Sequence, residues 1–210
     1  MTPSGRLVLA THNAAKVVEL RRILAGAGVP VALSGLDEFP GAPEVAETGL
    51  TFAENALLKA RAIAAFTGLA AVSDDSGLCV EVLNGLPGIF SARWAGRHGD
   101  DDANLALVLA QIADIAAPNR GAHFACAAAL ALPDGREGVA EGRLDGSLAY
   151  APRGSGGFGY DPIFVPDGMT VTTAELSPEA KDEISHRGRA FRALAPVIAT
   201  ELGLETTPGT

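Results

Sequence analysis

The sequence has little cysteine, few aromatic side chains and no long hydrophobic run. Two cysteines, Cys79 and Cys126, occur among 210 residues. Both lie inside apolar runs, so we expect buried thiols rather than a disulfide or a zinc site. The longest apolar run, Phe124 to Leu132, is far shorter than the roughly 20 residues that span a bilayer. The first residues also lack the long apolar stretch of a signal peptide. We therefore expect a cytoplasmic protein with no membrane partner.

Positive charge is also scarce in this sequence. Sixteen Lys and Arg residues stand against 25 Asp and Glu residues, which gives a formal net charge of −9. A surface of this sign repels nucleic-acid backbones, so we expect no polymeric nucleic-acid partner. Hydrophobic residues make up 48% of the chain and charged residues 20%, a globular composition that excludes a disordered or collagen-like protein. The length favours one domain over residues 1–210.

Apolar strand patterns alternate with helical patterns along the chain, which predicts an α/β fold. Arg6 to Ala10 has the pattern of a buried strand, and Ala14 to Ala27 that of a helix. Thr51 and Glu54 have capping-box spacing and begin a helix that runs to Phe66. The other predicted elements are strands over 69–73 and 78–83, a helix over 104–115, a strand over 122–132 joined at Asp134-Gly135 to a further strand, and helices over 178–184 and 187–202. Together they predict a mixed sheet flanked by helices.

The segment from Thr11 to Lys16 joins the first predicted strand to the first predicted helix. Its sequence is Thr11-His12-Asn13-Ala14-Ala15-Lys16. Backbone N–H groups at a helix start and the helix dipole attract anions, and Lys16 adds a full positive charge. The segment is therefore a candidate phosphate site. The alternative is an ordinary helix start with Asn13 as N-cap and Lys16 on the surface.

Two neighbouring carboxylates, Asp74 and Asp75, are predicted at the end of a strand, followed by Ser76 and Gly77. Paired carboxylates in this position can hold Mg²⁺, which bridges phosphate oxygens. The alternative is an Asp-Ser-Gly turn whose acids cap backbone groups. Glu47, in the loop upstream, has no evident structural duty and could join the site. The capping box already explains Glu54 structurally. Asn55 and Lys59 are four residues apart and share one helix face, so Lys59 could reach a phosphate.

Two later segments combine aromatic and basic residues. In Gly157-Phe158-Gly159-Tyr160-Asp161 the glycines permit close approach of a ligand, and Phe158 offers a face on which a base can stack. The alternative is that Phe158 and Tyr160 fill the core from a loop. The positive charge of Lys181, His186 and Arg187 suggests an anionic ligand in a chain that is acidic overall. The alternative is a solvated helix end whose lysine is paired with acids.

Taken in order, these segments resemble the inosine triphosphate pyrophosphatase family. The motifs that carry the resemblance cover nearly the whole chain. They are Leu-Ala-Thr-His-Asn-x-x-Lys (9–16), Glu-Thr-Gly-x-Thr-Phe-x-Glu-Asn-Ala (47–56), Asp-Asp-Ser-Gly-Leu (74–78), Pro-Gly-Ile-Phe-Ser-Ala-Arg (87–93), Gly-Gly-Phe-Gly-Tyr-Asp-Pro-Ile-Phe (156–164) and Ser-His-Arg-Gly (185–188).

The resemblance implies an elongated mixed α/β sheet with two closely packed lobes, an active site in the cleft between them, and a homodimer. It implies Mg²⁺-dependent hydrolysis of non-standard purine nucleoside triphosphates (ITP, dITP and XTP) to the monophosphate and pyrophosphate. Asp75 would be general base and metal ligand. The substrate-binding residues would be Thr11, His12, Asn13, Ala14, Ala15, Lys16, Ser76, Phe158, Gly159, Tyr160, Asp161, Lys181, His186 and Arg187.

Two positions depart from the pattern of the resembled family. Relatives often carry an acidic metal ligand where this chain has Ala46, so we expect Glu47 to be the second ligand, with Asp74 or water as alternatives. His12 stands where relatives commonly have glycine, which narrows the space for phosphates. Two other functions stay open, a pyrophosphatase for modified pyrimidine nucleotides and a nucleotide-sensing module without turnover.

Overall fold

A single six-stranded sheet organises the chain, and the computed structural model describes residues 5–204 of it. In chain order the elements are β1 (Arg6–Leu9), α1 (Ala14–Gly26), β2 (Ala32–Ser34), α2 (Phe52–Thr67), β3 (Ala70–Val80), α3 (Asp101–Gln111), β4 (Gly121–Ala131), β5 (Glu137–Leu148), β6 (Phe164–Pro166), α4 (Pro178–Ile184) and α5 (His186–Leu202). The strand order is β2-β1-β3-β4-β5-β6. β1 pairs in parallel with β2 and β3, whereas β5 and β6 are antiparallel. The predicted mixed α/β sheet is confirmed.

The described residues divide into two compact units. Unit 1 contains residues 5–75, 126–142 and 187–204, and unit 2 contains residues 76–125 and 143–186. The boundaries between the units fall inside β3, β4, β5 and the first turn of α5. The single domain over residues 1–210, the lobes and the cleft stay predictions.

Helices cover both faces of the sheet in unit 1. One face packs against α1 and α5, and its buried residues include Leu9, Val72, Leu130 and Phe191. The other face packs against α2 and consists mainly of alanine. Its buried residues are Val8, Leu36, Ala56, Ala60, Ile63, Ala64, Ala71, Ala127, Ala129 and Ala131. Successive strand residues point to opposite faces, which explains why Ala71 and Val72 belong to different layers.

Local side-chain caps mark where α1 and α2 begin. The Thr51 hydroxyl accepts the Glu54 N–H at 3.1 Å, so half of the predicted capping box is confirmed. The Glu54 carboxylate accepts the N–H of Leu50 at 2.6 Å, one residue before the expected partner. At α1, the Asn13 side chain accepts the Lys16 N–H at 3.4 Å, as the N-cap interpretation predicts.

The two strands predicted on either side of Asp74-Asp75-Ser76-Gly77 are one continuous strand, β3. The predicted strand end at the acids is therefore wrong. Gly77, which suggested a turn, is required for another reason: a Cβ there would clash with the Gly88 carbonyl oxygen and the Ser91 hydroxyl. A contact between distant residues thus explains the glycine, and the four residues are buried or half-buried strand interior.

Unit 2 has its own core, which includes Leu78, Val108, Phe124 and Phe164. Its helix α3 begins at Asp101, three residues before the predicted start at 104, because Asp100 caps it by accepting the Ala103 N–H at 3.3 Å. The short strands β2 and β6 were not predicted. The predicted turn at Asp134-Gly135 does separate β4 from β5 in unit 1, where Gly135 has φ 91°.

A buried arginine, Arg120, organises the end of α3. Its guanidinium donates to four backbone carbonyls, those of Ile112, Ile115, Leu148 and Ala149, at 2.7–3.3 Å. The side chain is 1% exposed. Arg120 therefore supplies donors to carbonyl groups that follow the helix and would otherwise have to be satisfied elsewhere.

Both cysteines are buried free thiols, as predicted. None of the helices within residues 5–204 has the length and apolar character needed to cross a membrane.

Candidate active site

The two neighbouring acids of β3 have different surroundings. Asp74 contacts Arg187 of α5 and Lys16 of α1, whereas Asp75 contacts Asn55 and Lys59 of α2. Their side chains point to opposite faces of the sheet because residues alternate along a strand. The acids therefore cannot act as the simple pair that their adjacency in sequence suggests.

Asp74 lies at the centre of a buried group of charges. Its Oδ2 accepts hydrogen bonds from Arg187 at 3.0 Å, and the Lys16 Nζ lies 3.7 Å from the same oxygen. Arg187 also lies 3.5 Å from Glu19. Burial raises the pKa of Asp74, but the charges of Arg187, Lys16 and Lys59 outweigh it and lower this pKa well below its usual range. Asp74 is thus a carboxylate held by two cations, and its alternative role as a metal ligand stays a prediction.

Asp75 is positioned by a helix rather than by other strands. Asn55 donates from Nδ2 to the Asp75 Oδ2 at 3.0 Å, and its Oδ1 accepts the Gly49 N–H at 2.8 Å. Asn55 thus joins the Glu-Thr-Gly loop to the carboxylate. Burial raises the pKa of Asp75, and the nearby charge of Glu47 adds to this, although Lys59 opposes both. A carboxylate with a raised pKa accepts a proton more readily, as a general base must.

Lys59 links the two residues that the sequence suggested as metal ligands. Its Nζ lies 2.6 Å from the Glu47 Oε1 and 3.7 Å from the Asp75 Oδ1. Burial lowers the pKa of Lys59, but the charges of Asp75, Glu47 and Asp74 raise it above its usual value overall. The ammonium therefore stays charged, and the predicted ligands Glu47 and Asp75 converge on one cation.

The segment from Thr11 to Lys16 satisfies parts of both interpretations. Asn13 is an N-cap, and the Thr11 hydroxyl accepts the Asn13 N–H at 3.1 Å. His12 lies on the surface, with Nδ1 3.4 Å from Asp37. Ala14 and Ala15 form the first residues of α1; the side chain of Ala15 is outside the described part. Lys16 is only 28% exposed, so it is not an ordinary surface lysine.

In unit 2, Asp161 brings Phe158 and Lys181 together. Its Oδ2 accepts the Phe158 N–H at 2.8 Å and pairs with the Lys181 ammonium, while Oδ1 accepts the Thr173 hydroxyl at 2.8 Å. The Lys181 Nζ lies 5.1 Å from the centre of the Phe158 ring. Gly157 has φ 72°, and a Cβ there would overlap the Asp161 carboxylate. Lys181 is thus paired with an acid, as the alternative expected, and it also lies over the aromatic ring.

The two aromatic residues of this loop have different environments. Tyr160 is buried and donates to the Ser91 carbonyl at 2.8 Å, and burial raises its pKa above the usual value. The core-filling alternative is correct for this residue. Phe158 is 59% exposed, so that alternative is wrong for it. Gly159 donates its N–H to Asp101 at 2.9 Å, which connects this loop to the first turn of α3.

The Ser-His-Arg segment divides between the two units. In unit 2 the His186 ring stacks on Phe124, with centroids 4.8 Å apart and an angle of 12° between planes. In unit 1 Arg187 pairs with Asp74, so the structure gives this guanidinium an ion-pair role that the sequence does not reveal. Ser76 follows Asp75 in β3 and is half-buried. The substrate contacts of these three residues stay predictions.

Some residues of these clusters were missed or undervalued at the level of sequence. Asn55 and Lys59 were noticed for their shared helix face but were not included among the predicted site residues. Glu19 and Asp101 were missed. Arg187 and Glu19 are 168 residues apart in the chain, so no local pattern could have indicated their contact.

Comparison with known proteins decides the family. The Ham1 family profile matches residues 7–197. A Streptomyces coelicolor protein named dITP/XTP pyrophosphatase is 70% identical over 198 residues, 94% of this chain and 99% of that protein. The chain belongs to the Ham1 family. This membership confirms the resemblance found in the sequence motifs.

Solved structures of Ham1 proteins share the fold. A crystal structure described as nucleoside-triphosphatase / dITP/XTP pyrophosphatase, from Mycobacterium abscessus, has a TM-score of 0.75 and 54% identity, and the match covers 91% of this chain and 98% of that one. A HAM1 protein from Coxiella burnetii has a TM-score of 0.84 and 39% identity, with coverage of 93% and 99%. The Ham1 fold thus accounts for nearly the whole chain.

Proposed function

We propose that this Ham1 chain hydrolyses the purine nucleoside triphosphates dITP, XTP and ITP to the monophosphate and pyrophosphate. One observation carries the proposal: Asp75, a buried carboxylate with a raised pKa, is held by Asn55 beside Glu47, in a chain whose relatives are named dITP/XTP pyrophosphatases. These names also support the interpretation of the chain as an enzyme.

Glu47 and Asp75 fit the requirements of Mg²⁺. Both carboxylates lie close to one Lys59 ammonium, so they are aimed at a position where a cation is already favourable. Among residues 5–204 no group of three or more His, Cys, Asp or Glu side chains could hold a metal ion. Two carboxylates suffice for Mg²⁺, because this ion keeps several waters and takes further oxygen ligands from substrate phosphates. When bound, Mg²⁺ would neutralise charge on the triphosphate.

The residues of unit 1 would carry out the reaction at the triphosphate. Asp75 accepts the proton of the attacking water at its carboxylate, and Asn55 keeps that carboxylate oriented through Oδ2. Lys16, in the first turn of α1, stabilises negative charge on the phosphates together with the dipole of that helix. The N–H groups of Asn13 and Lys16 are already bonded within the segment.

The residues of unit 2 would hold the nucleoside end. Phe158 exposes its ring for stacking on the base, and Lys181 carries positive charge at that ring. His186, and Arg187 beyond the unit boundary, stay the predicted donors to the 6-keto group of the purine. The homodimer and the cytoplasmic location implied by the resemblance are likewise proposals, and light scattering measures the oligomeric state.

Release of pyrophosphate from a panel of nucleotides tests this function. With Mg²⁺ we expect turnover of dITP, XTP and ITP, much slower turnover of ATP and thymidine triphosphate, and loss of turnover in excess chelator. Faster turnover of pyrimidine nucleotides would establish the pyrimidine alternative. Binding of dITP without release of pyrophosphate would establish the sensing alternative.

Asp75→Asn provides the matched variant, because it keeps the size of the side chain and removes its charge. We expect a loss of turnover of at least about 100-fold. Retention of more than a tenth of the wild-type rate at saturating Mg²⁺ would exclude Asp75 as the base.

A further inference from the structure

Lys59 occupies an unusual place for a lysine. It lies on α2 with its side chain 18% exposed, and its ammonium is shared by two carboxylates from different segments, Glu47 of the loop and Asp75 of β3. These are the two residues that the proposed function assigns to the metal. The ammonium therefore already neutralises the charge that a divalent cation would need.

We propose that Lys59 is a built-in competitor of the divalent cation for Glu47 and Asp75, which keeps metal binding weak until the ammonium moves to another anion, such as a substrate phosphate. The proposal rests on the proposed function for the choice of metal ligands.

The contact with Glu47 makes this competition direct. At 2.6 Å the Lys59 Nζ and the Glu47 Oε1 are in hydrogen-bond contact, so a cation that takes this oxygen must displace the ammonium or repel it. The three side chains are 11–20% exposed, so water screens their charges less than it screens a surface pair. Removal of the ammonium should therefore change cation affinity measurably.

The structure allows Lys59 to leave without disturbing Asp75. Asn55 holds the Asp75 Oδ2, whereas Lys59 faces Oδ1. A lysine side chain has a flexible stem of four carbons and a compact charge, so it can turn to a new anion while α2 stays in place. The carboxylate then keeps its orientation for the metal and for the attacking water.

Titration of the nucleotide-free protein with Mn²⁺, followed by electron paramagnetic resonance, tests the proposal. We expect Lys59→Met to bind Mn²⁺ at least about tenfold more tightly than the wild type, equivalent to about 1.4 kcal/mol. Lys16→Met is the matched control, since the ion-pair partner of Lys16 is Asp74 rather than Glu47 or Asp75. It should show a smaller gain.

A double variant tests whether the gain in Mn²⁺ affinity depends on the two carboxylates. In Glu47→Gln the further change Lys59→Met should tighten Mn²⁺ binding much less, because one of the contested ligands is gone. Unchanged or weaker binding in Lys59→Met would overturn the proposal. If circular dichroism shows that Lys59→Met is unfolded, Lys59→Gln replaces it, and failure of both variants to fold would establish Lys59 as a structural partner instead.

This titration contains no nucleotide, so its outcome is separable from that of the proposed function. Wild-type protein that fails to release pyrophosphate, together with tighter Mn²⁺ binding in Lys59→Met, would refute the function and leave the competition standing. An active wild type with no change in Lys59→Met would refute only the competition.

Discussion

Replacement of Arg187 by alanine should destabilise the fold strongly at neutral pH. The change removes the guanidinium that donates two contacts of 3.0 Å to the Asp74 Oδ2. The side chains of Arg187 and Asp74 are only 8% and 6% exposed, so Asp74 is left as a buried carboxylate. Loss of one partner of a buried ion pair costs about 3–5 kcal/mol.

Lys16 reduces this cost but does not remove it. Its Nζ stays 3.7 Å from Asp74, beyond hydrogen-bond distance, so we take the lower end, about 3 kcal/mol. For a chain of this length each kcal/mol lowers Tm by about 2–4 °C, which predicts a fall of about 6–12 °C. Urea and thermal unfolding with chelator present measure both quantities. Arg192→Ala, an exposed position on the same helix, should stay within about 0.5 kcal/mol of the wild type.

The pH dependence gives the prediction a sign. Because the wild-type pKa of Asp74 is lowered, its contribution to stability is complete above the ordinary pKa of about 4 and is lost as the pH falls towards the folded value. In Arg187→Ala burial dominates, so protonation of Asp74 stabilises the variant as the pH falls. The difference in free energy of unfolding between the wild type and Arg187→Ala should therefore become smaller as the pH falls.

Two results would refute this reasoning. One is a loss of unfolding free energy of less than about 1 kcal/mol at pH 7, which is typical of a surface pair. The other is a stability difference between wild type and variant that becomes larger in acid. Selectivity for ITP over ATP, measured below the Tm of the variant, tests the separate prediction that Arg187 also recognises the base. An unchanged ratio would confine Arg187 to its contacts with Asp74 and Glu19.

Three further substitutions probe the remaining interpretations. Lys16→Ala should raise the KM for dITP or lower the rate, and it should destabilise the fold less than Arg187→Ala does, because Arg187 still donates to Asp74. Unchanged kinetics would show that Lys16 serves only as an ion-pair partner of Asp74. Phe158→Ala should lower kcat/KM for ITP and ATP in similar proportion, because each nucleotide loses about 1–3 kcal/mol of stacking energy. A loss confined to ITP would contradict simple stacking. Arg120→Met should cost at least about 3 kcal/mol in urea unfolding, because each buried carbonyl left unsatisfied costs about 1–3 kcal/mol; a loss of less than about 1 kcal/mol would contradict this.

Local chemistry was sufficient to predict most helices. The predicted range 178–184 matches α4, because Ser177 caps the helix and Pro178 fits its first turn. Longer apolar segments such as β4 were also predicted to within a residue. The strands β2 and β6 have three residues each, too few to show an alternation, so their formation depends on neighbouring strands that a sequence does not display.

The contacts among the predicted site residues could not be predicted from the sequence, and their roles stay predictions. The motifs indicated Asp75, Glu47 and Lys16, but not that Asp74 pairs with a residue 113 positions away in the chain. The break predicted in β3 concealed the alternation that separates Asp74 from Asp75. Contacts between distant residues and the alternation of side chains along β3 therefore determine which groups each acid contacts.

Alanine packing between α2 and the sheet bears on the geometry at Asp75. Alanine carries a single methyl group, so α2 comes close enough for the short side chain of Asn55 to reach β3. A larger side chain at Ala60 would push the helix outward, and with it both Asn55 and Lys59. A shift of about 1 Å in such groups can slow a reaction about 100-fold. Under the proposed role of Asp75, small volume at buried positions such as Ala60 is thus as important for turnover as the polar groups themselves.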